Sequence, residues 1–240
     1  MPKDKNVLIY ALDADGLAEA KDWVRRLAGV AGIFKIGFQL FLREGPQAAQ
    51  MVHHEGAKVF LDLKFHDIPH TVSLAAAEAV KMGAFMFNVH AGGGRAMMAA
   101  AREGAERACE RLKAPMPLIL GVTVLTSLDE KAVKEIGFPQ KPADLVLRLA
   151  GMAQAAGLSG VVASAEEAAR IRKECGPDFV IVCPGVRPAG EAKRDQARVA
   201  TPGAAIKAGA DYLVVGRPIR EAKDPVAAAQ AILAEAISAG

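Results

Sequence analysis

The sequence predicts an α/β fold, a (β/α)8 TIM barrel forming one domain over residues 1–240. Two observations carry this expectation. Short apolar or β-branched runs alternate with longer segments of helical periodicity, and eight such strand candidates occur along the chain. The chain has 240 residues, 52% of them apolar, which suits a one-domain α/β barrel with a large core. A doubly wound open sheet is the alternative. A Gly-rich dinucleotide turn after the first strand would favour it, and "DADGLAEA" is not one. "HAGGGRAM" has three glycines without the G-x-G-x-x-G spacing, so Gly92 to Gly94 read as a loop and helix entry.

The first strand is expected at Val7–Leu12. A helix follows, capped by Asp15, with Leu17, Ala20, Val24 and Leu27 on one face and a stop at Gly29. The next strands are expected at Ile33–Gly37 and Lys58–Leu63, the latter followed by Pro69 and a helix start at Thr71. Phe85–Val89, Leu118–Val122 and Gly160–Ala163 come next. Ser164 with Glu167 three residues on is a capping-box pattern, and that helix stops near Gly176. Strands at Phe179–Cys183 and Tyr212–Val215 complete the set. Asp224-Pro225 then places a cap before a first-turn proline, and Val226, Ile232 and Ile237 recur at helical spacing in the Ala-rich tail.

Composition excludes several classes of function. Net charge is +3 and no dense Lys/Arg tract occurs, so no nucleic-acid partner is expected. No apolar run reaches the ~18 residues of a membrane-spanning helix, so no membrane partner is expected. The start, "MPKDKNVLIYALDADG", is broken by Asp13 and does not read as a secretory signal. Cys109, Cys175 and Cys183 are far apart and lack C-x-x-C spacing. A disulfide framework or zinc site is not indicated, and a cytoplasmic location is expected. No His/Asp/Glu set has metal-ligand spacing.

Barrel active sites lie at the carboxyl ends of the strands. The polar residues there are Asp13, Lys35, Asp62, Lys64, Asp67, Asn88, His90, Thr123, Thr126, Arg187, Gly216 and Arg217. Three of the charges fall within "FLDLKFHDIPHT", at the end of what reads as a buried strand. Strand alternation points Asp62 and Lys64 the same way, about 7 Å apart, and turns Leu61 and Leu63 towards the helices. Lys35, between Phe34 and Ile36, points inward likewise. Buried charge is costly unless paired. Either these groups form an ion-pair network that ties the barrel top together, or they form a fixed field for charge developing on a substrate. A lysine held between carboxylates stays protonated and can act as a general acid. An anion beside Asp62 would be repelled, and relieved on leaving as a neutral molecule.

Other positions read as substrate grip. Glycine at Gly216 lets backbone N–H groups approach an anion, and Arg217 offers a planar fork for phosphate where barrels often bind it. The long polar segment Val186 to Pro202, holding Arg187 and Gln196, reads as a mobile active-site loop. Ser127 is a helix cap or an assisting hydroxyl. His90 reads as a satisfied polar residue, Cys183 as core packing, and His53 and His54 as solvent-facing.

"LDLKFHDIPHTV" resembles the signature of the orotidine 5'-phosphate decarboxylase family. The D-x-K-x-x-D core is shared with relatives that act on sugar phosphates, whereas D-I-P-x-T is more selective. "ALD", "FKIG", "NVHA", "VTVLTS", "CPGVRP", "DQARVATP" and "VVGRPI" extend the similarity along the chain in the family's order. The resemblance implies decarboxylation of orotidine 5'-monophosphate to UMP, the last step of de novo pyrimidine biosynthesis, with no cofactor and no metal. It implies Lys64 as the proton donor to a carbanion-like C6, and Asp62 beside the departing carboxylate. Lys35 would hold the charge array and contact the ribose. Asp67, with Ile68 and Thr71, would be contributed across a homodimer interface. Asp13 matches a ribose contact, Thr126 a pyrimidine contact, and Arg187 and Gln196 phosphate contacts on the closing loop. Two other readings remain. A metal-dependent decarboxylase or aldolase on a sugar phosphate would want a further carboxylate near strand two, where this chain has Lys35. A non-catalytic phosphometabolite-binding barrel would be expected to lack one of Asp62, Lys64 and Asp67.

Overall fold

The computed structural model describes residues 4–188 and 200–240. Eight parallel strands pair in chain order and close into a barrel, β1 meeting β8. They are β1 (Leu8–Ala11), β2 (Ile33–Ile36), β3 (Lys58–Phe65), β4 (Met86–His90), β5 (Leu118–Val122), β6 (Gly160–Val162), β7 (Val180–Cys183) and β8 (Tyr212–Val215). The helices are α1 (Leu17–Leu27), α2 (Phe38–Glu44), α3 (Gln47–His54), α4 (Pro69–Lys81), α5 (Gly94–Leu112), α6 (Glu130–Glu135), α7 (Pro142–Ala155), α8 (Ala165–Cys175), α9 (Pro202–Lys207), α10 (Arg217–Arg220) and α11 (Pro225–Ala239).

The period of two along each strand divides the apolar residues into two cores. Ile9, Ile33, Phe60, Met86, Leu120, Val182 and Val214 point inward and fill the barrel. Their neighbours Leu8, Phe34, Leu61, Phe87, Ile119, Ile181 and Leu213 point outward and pack against the helices. Both faces of the sheet are covered, which is why the strands read as nearly continuous apolar runs. The filled interior means that polar chemistry is possible only above this apolar plug, at a barrel mouth.

The expected strands are all present, two with both ends as expected and the others with an end shifted by one or two residues. Val7 falls in a 3-10 turn, and β3 runs through the charged segment to Phe65. Helix α4 starts at Pro69, two residues before the expected Thr71, because proline suits the first helical position. Ser164 and Asp224 cap α8 and α11 as expected, Ser164 accepting the Glu166 N–H and Asp224 those of Val226 and Ala227. Asp15 does not cap α1. Its carboxylate accepts from Gln39 Nε2 at 2.7 Å, its N–H donates to Glu19, and Gly16 takes the N-cap position. A tertiary partner on α2 has outcompeted the local cap.

The end of the barrel opposite the strand C-termini is fastened by Arg172 on α8. Its guanidinium donates to the carbonyls of Gly176, Pro177, Phe179 and Gly209 and to Asp211 Oδ2 at 2.7 Å. Asp211 also accepts the Ile181 N–H at 2.8 Å, so one ion pair joins α8 to the starts of β7 and β8. Arg172→Ala strands several carbonyls and a carboxylate. It is expected to lower the unfolding free energy by roughly 2–3 kcal/mol in urea titrations; a change below about 0.5 kcal/mol would show that the clamp is dispensable.

Candidate active site

The inward-facing residues climb the strands in steps of two, and at the C-terminal ends of β2, β3 and β4 they change from apolar to polar or charged. Ile33 is followed by Lys35, Phe60 by Asp62, and Met86 by Asn88. Asp62 is 8% exposed and is the centre of the cluster. Its Oδ2 lies 2.9 Å from Lys35 Nζ and its Oδ1 lies 2.8 Å from Lys64 Nζ. Asn88 Nδ2 donates to the same Oδ1 at 2.7 Å. Burial pushes the Asp62 carboxyl upward, but the two ammonium charges and the hydrogen bonds from Lys64 and Asn88 outweigh it. The result lies below the usual carboxylate range, so Asp62 is ionised at neutral pH.

Strict alternation does not describe this segment. The β3–β4 register shifts between Leu61, opposite Phe87, and Phe65, opposite Val89. β3 takes four steps where β4 takes two, so a bulge carries Asp62, Leu63 and Lys64. Lys64 adopts φ 45°, a left-handed backbone that costs a lysine about 1–2 kcal/mol. The bulge folds the Lys64 ammonium back onto Asp62. Phe38, at the start of α2, places its ring 5.4 Å from Lys64 Nζ, within cation–π range.

A cavity of about 330 Å³ opens above the apolar plug. Lys35, Asp62 and Lys64 line one side; Val122, Val162, Pro184 and Val214 give apolar surface, and Thr126 and Ser127 add hydroxyls. Such a mixture, largely apolar with a few convergent polar groups, suits a small ring-bearing ligand. Asp13 stands nearby at the end of β1, its carbonyl accepting from Arg220 Nη1 at 2.7 Å. The backbone at Gly216 is tightly packed, since a Cβ there would sit 3.2 Å from that of Ala11. His90 lies in ring contact with His66, centroids 5.2 Å apart. Burial, then the charges of His66 and Lys64, lower its pKa, which favours the neutral ring.

The expected residues do not all converge. Lys35, Asp62, Lys64 and Thr126 share the cavity, whereas Asp67, Ile68, Thr71, Arg187 and Arg217 do not line it. Asp67 is exposed, its Oδ1 accepting the Ile68 N–H at 2.6 Å, and among the described residues no cation pairs with it. Ile68 and Thr71 are exposed beside it at the start of α4. Arg187 is buried, and its N–H donates to the Ala200 carbonyl at 3.0 Å, joining the two sides of the Val186 to Pro202 segment. Arg217 opens α10 directly after Gly216. Gln196, and most of the expected mobile loop, lie outside the described residues. Sequence reasoning assigned no role to Asn88 or Phe38; the inward register of Asn88, two residues after Met86, was the available signal for the first.

A family model described as "Orotidine 5'-phosphate decarboxylase / HUMPS family" matches residues 6–232. The chain belongs to the orotidine 5'-phosphate decarboxylase / HUMPS family. Among orotidine 5'-phosphate decarboxylases, it is 53% identical to that of Syntrophotalea carbinolica, over 97% of this chain and 95% of the relative. It is 57% identical to that of Syntrophus aciditrophicus, over 92% of this chain and 89% of the relative. The crystal structure of orotidine 5'-phosphate decarboxylase from Lactobacillus acidophilus superposes with a TM-score of 0.83 at 36% identity, covering 95% of this chain and 98% of that one. In this family member, then, the Lys35, Asp62 and Lys64 cluster sits on a barrel that matches these decarboxylases over more than nine-tenths of the chain.

Because the folded pKa of Asp62 is depressed, its stabilising contribution is full above the ordinary value of 3.8 and is lost as pH falls through the lower folded value. Asp62→Asn leaves two ammonium groups without their shared counter-charge and is expected to cost about 3 kcal/mol at pH 7. Chemical denaturation at neutral and acid pH should show the gap between wild type and variant narrowing below pH 3.8. A gap that stays constant with pH would remove the carboxylate charge as its cause.

Proposed function

We propose that the chain decarboxylates orotidine 5'-monophosphate to UMP and CO2, completing de novo pyrimidine biosynthesis. The observation that carries the reading is the array of Lys35 and Lys64 around the buried Asp62 at the barrel mouth, in a chain so similar to curated decarboxylases. The C6–carboxylate bond breaks, CO2 departs, and the electron pair remains at C6. A proton from the Lys64 ammonium then forms the C6–H bond, and solvent reprotonates the lysine. Asp62 repels the substrate carboxylate but not neutral CO2, while the adjacent ammonium stabilises the carbanion-like centre. These charges are fixed by mutual hydrogen bonds and need not reorganise as the reaction proceeds.

Recognition is proposed to be spread over the rest of the mouth. Thr126 holds the pyrimidine, with Ser127 beside it. Asp13 and Lys35 take the ribose hydroxyls. Arg217, the backbone at Gly216, Arg187 and Gln196 take the phosphate. Closure of the 186–202 loop over the nucleotide would exclude water and couple phosphate binding to the distant C6. The reaction is assigned to this chain's own residues, with no cofactor. The three free thiols support a reducing cytoplasmic setting.

The working unit is proposed to be a homodimer, with Asp67, Ile68 and Thr71 of one subunit completing the other's site. Asp67 is exposed with no cation beside it among the described residues, Phe38 beside Lys64 is 52% exposed, and Ile68 next to Asp67 is 65% exposed.

Pure protein is expected to convert orotidine 5'-monophosphate to UMP, followed by ultraviolet absorbance, at the same rate with and without EDTA. A folded protein without turnover would overturn the reading and favour the phosphosugar relatives. Lys64→Ala should abolish turnover while retaining UMP binding; activity within about tenfold of wild type would defeat the proton-donor role. Inactive Asp67→Ala and Lys64→Ala chains, mixed and allowed to exchange, should regain activity, because one site in the mixed dimer is intact. Verified mixed dimers that stay inactive would place Asp67 in its own subunit's site.

A further inference from the structure

The β3 bulge leaves the Lys64 N–H opposite no carbonyl of β4, because the ladder resumes only at Phe65 and Val89. Its partner is a side chain. Asn88 stands on β4 between Phe87 and Val89, the two residues that bracket the register shift, and is 1% exposed. Its Oδ1 accepts the Lys64 N–H at 2.8 Å, while its Nδ2 donates to Asp62 Oδ1 at 2.7 Å. One amide thus spans the bulge from both sides. It replaces the missing ladder bond and fixes the carboxylate oxygen that also receives the Lys64 ammonium at 2.8 Å.

We propose that Asn88 is a positioning residue for the reaction, holding the left-handed backbone of Lys64 and the rotamer of Asp62 so that the ammonium stays aimed into the cavity. The role follows from the geometry of the two bonds. A carboxamide carries an acceptor and a donor on one small planar group, and here each finds one end of the bulge. A hydroxyl is too short to reach both, and a carboxylate would present an acceptor to Asp62. Asn88 does not line the cavity, so its influence passes through Lys64 and Asp62. The backbone at Lys64 is disfavoured for a lysine, so without the amide the segment can relax and carry the ammonium away from the reacting carbon.

This inference rests on the decarboxylase reading, and its test separates the two. Wild-type turnover of orotidine 5'-monophosphate decides that reading; the comparison of variants with wild type decides the role of Asn88. In Asn88→Ala and Asn88→Ser, kcat is expected to fall about 100-fold, as for a displacement of about 1 Å, with KM and the Kd for UMP within about threefold of wild type. A merely structural role would lower the melting temperature and leave kcat per folded molecule unchanged. A fall in kcat of less than about tenfold in either folded variant, or a loss of UMP affinity parallel to the loss of kcat, would overturn the proposal. A crystal structure of Asn88→Ser gives a readout independent of activity. Lys64 is expected to leave the left-handed region or its Nζ to leave Asp62, and retention of both features would overturn the proposal.

Discussion

A carboxylate taken out of water at the rim of an apolar barrel is tolerable only with opposite charge in direct contact, and Asp62 has two such partners. The ammonium groups of Lys35 and Lys64 reach different oxygens of the same carboxylate, so neither displaces the other. The cluster as a whole carries one excess positive charge, which suits an anionic ligand. Its position follows from the plug below it. Phe60 and Ile33 fill the barrel one layer down, and the charges cannot sink further without losing access to the mouth. Much of the local architecture serves this one constraint: the extended β3, the bulge, and the amide that spans it.

Stability and reactivity are held at opposite ends of the strands. At one end Arg172 gathers backbone carbonyls and a single carboxylate into one network. At the other, Arg220 reaches across from α10 to the Asp13 carbonyl and ties the last strand unit to the first. That contact closes the circle of strand ends just where the proposed ribose and phosphate positions meet. It is a backbone contact, so it fixes the rim without consuming the Asp13 carboxylate.

The number and order of the strands were legible from eight alternating strand and helix patterns, and the inward direction of Lys35 and Asp62 from a period of two within a single strand. Ser164 and Asp224 were legible as caps because a cap needs only its own first turn. Asp15 was not, because Gln39 from α2 claims its carboxylate. The bulge was illegible for a related reason. "DLKF" alternates well enough to pass for regular strand, and only pairing with β4 reveals two surplus residues. The link from Asn88 to Lys64, 24 positions apart, is equally a product of register. Asp67 could be recognised by resemblance, but among the described residues no cation pairs with it.

The surplus in β3 is even, and that parity carries an evolutionary consequence. Leu61 before the bulge and Phe65 after it still face the helices, where Phe65 meets the ring of Phe87 at 5.9 Å. A surplus of one would have turned Phe65 into the barrel and sent the following chain to the wrong face. By parity alone, residues between Leu61 and Phe65 can be gained or lost only in pairs. Insertions and deletions of single residues are closed to this segment, so its length should be constrained in descent alongside the identities of Asp62 and Lys64.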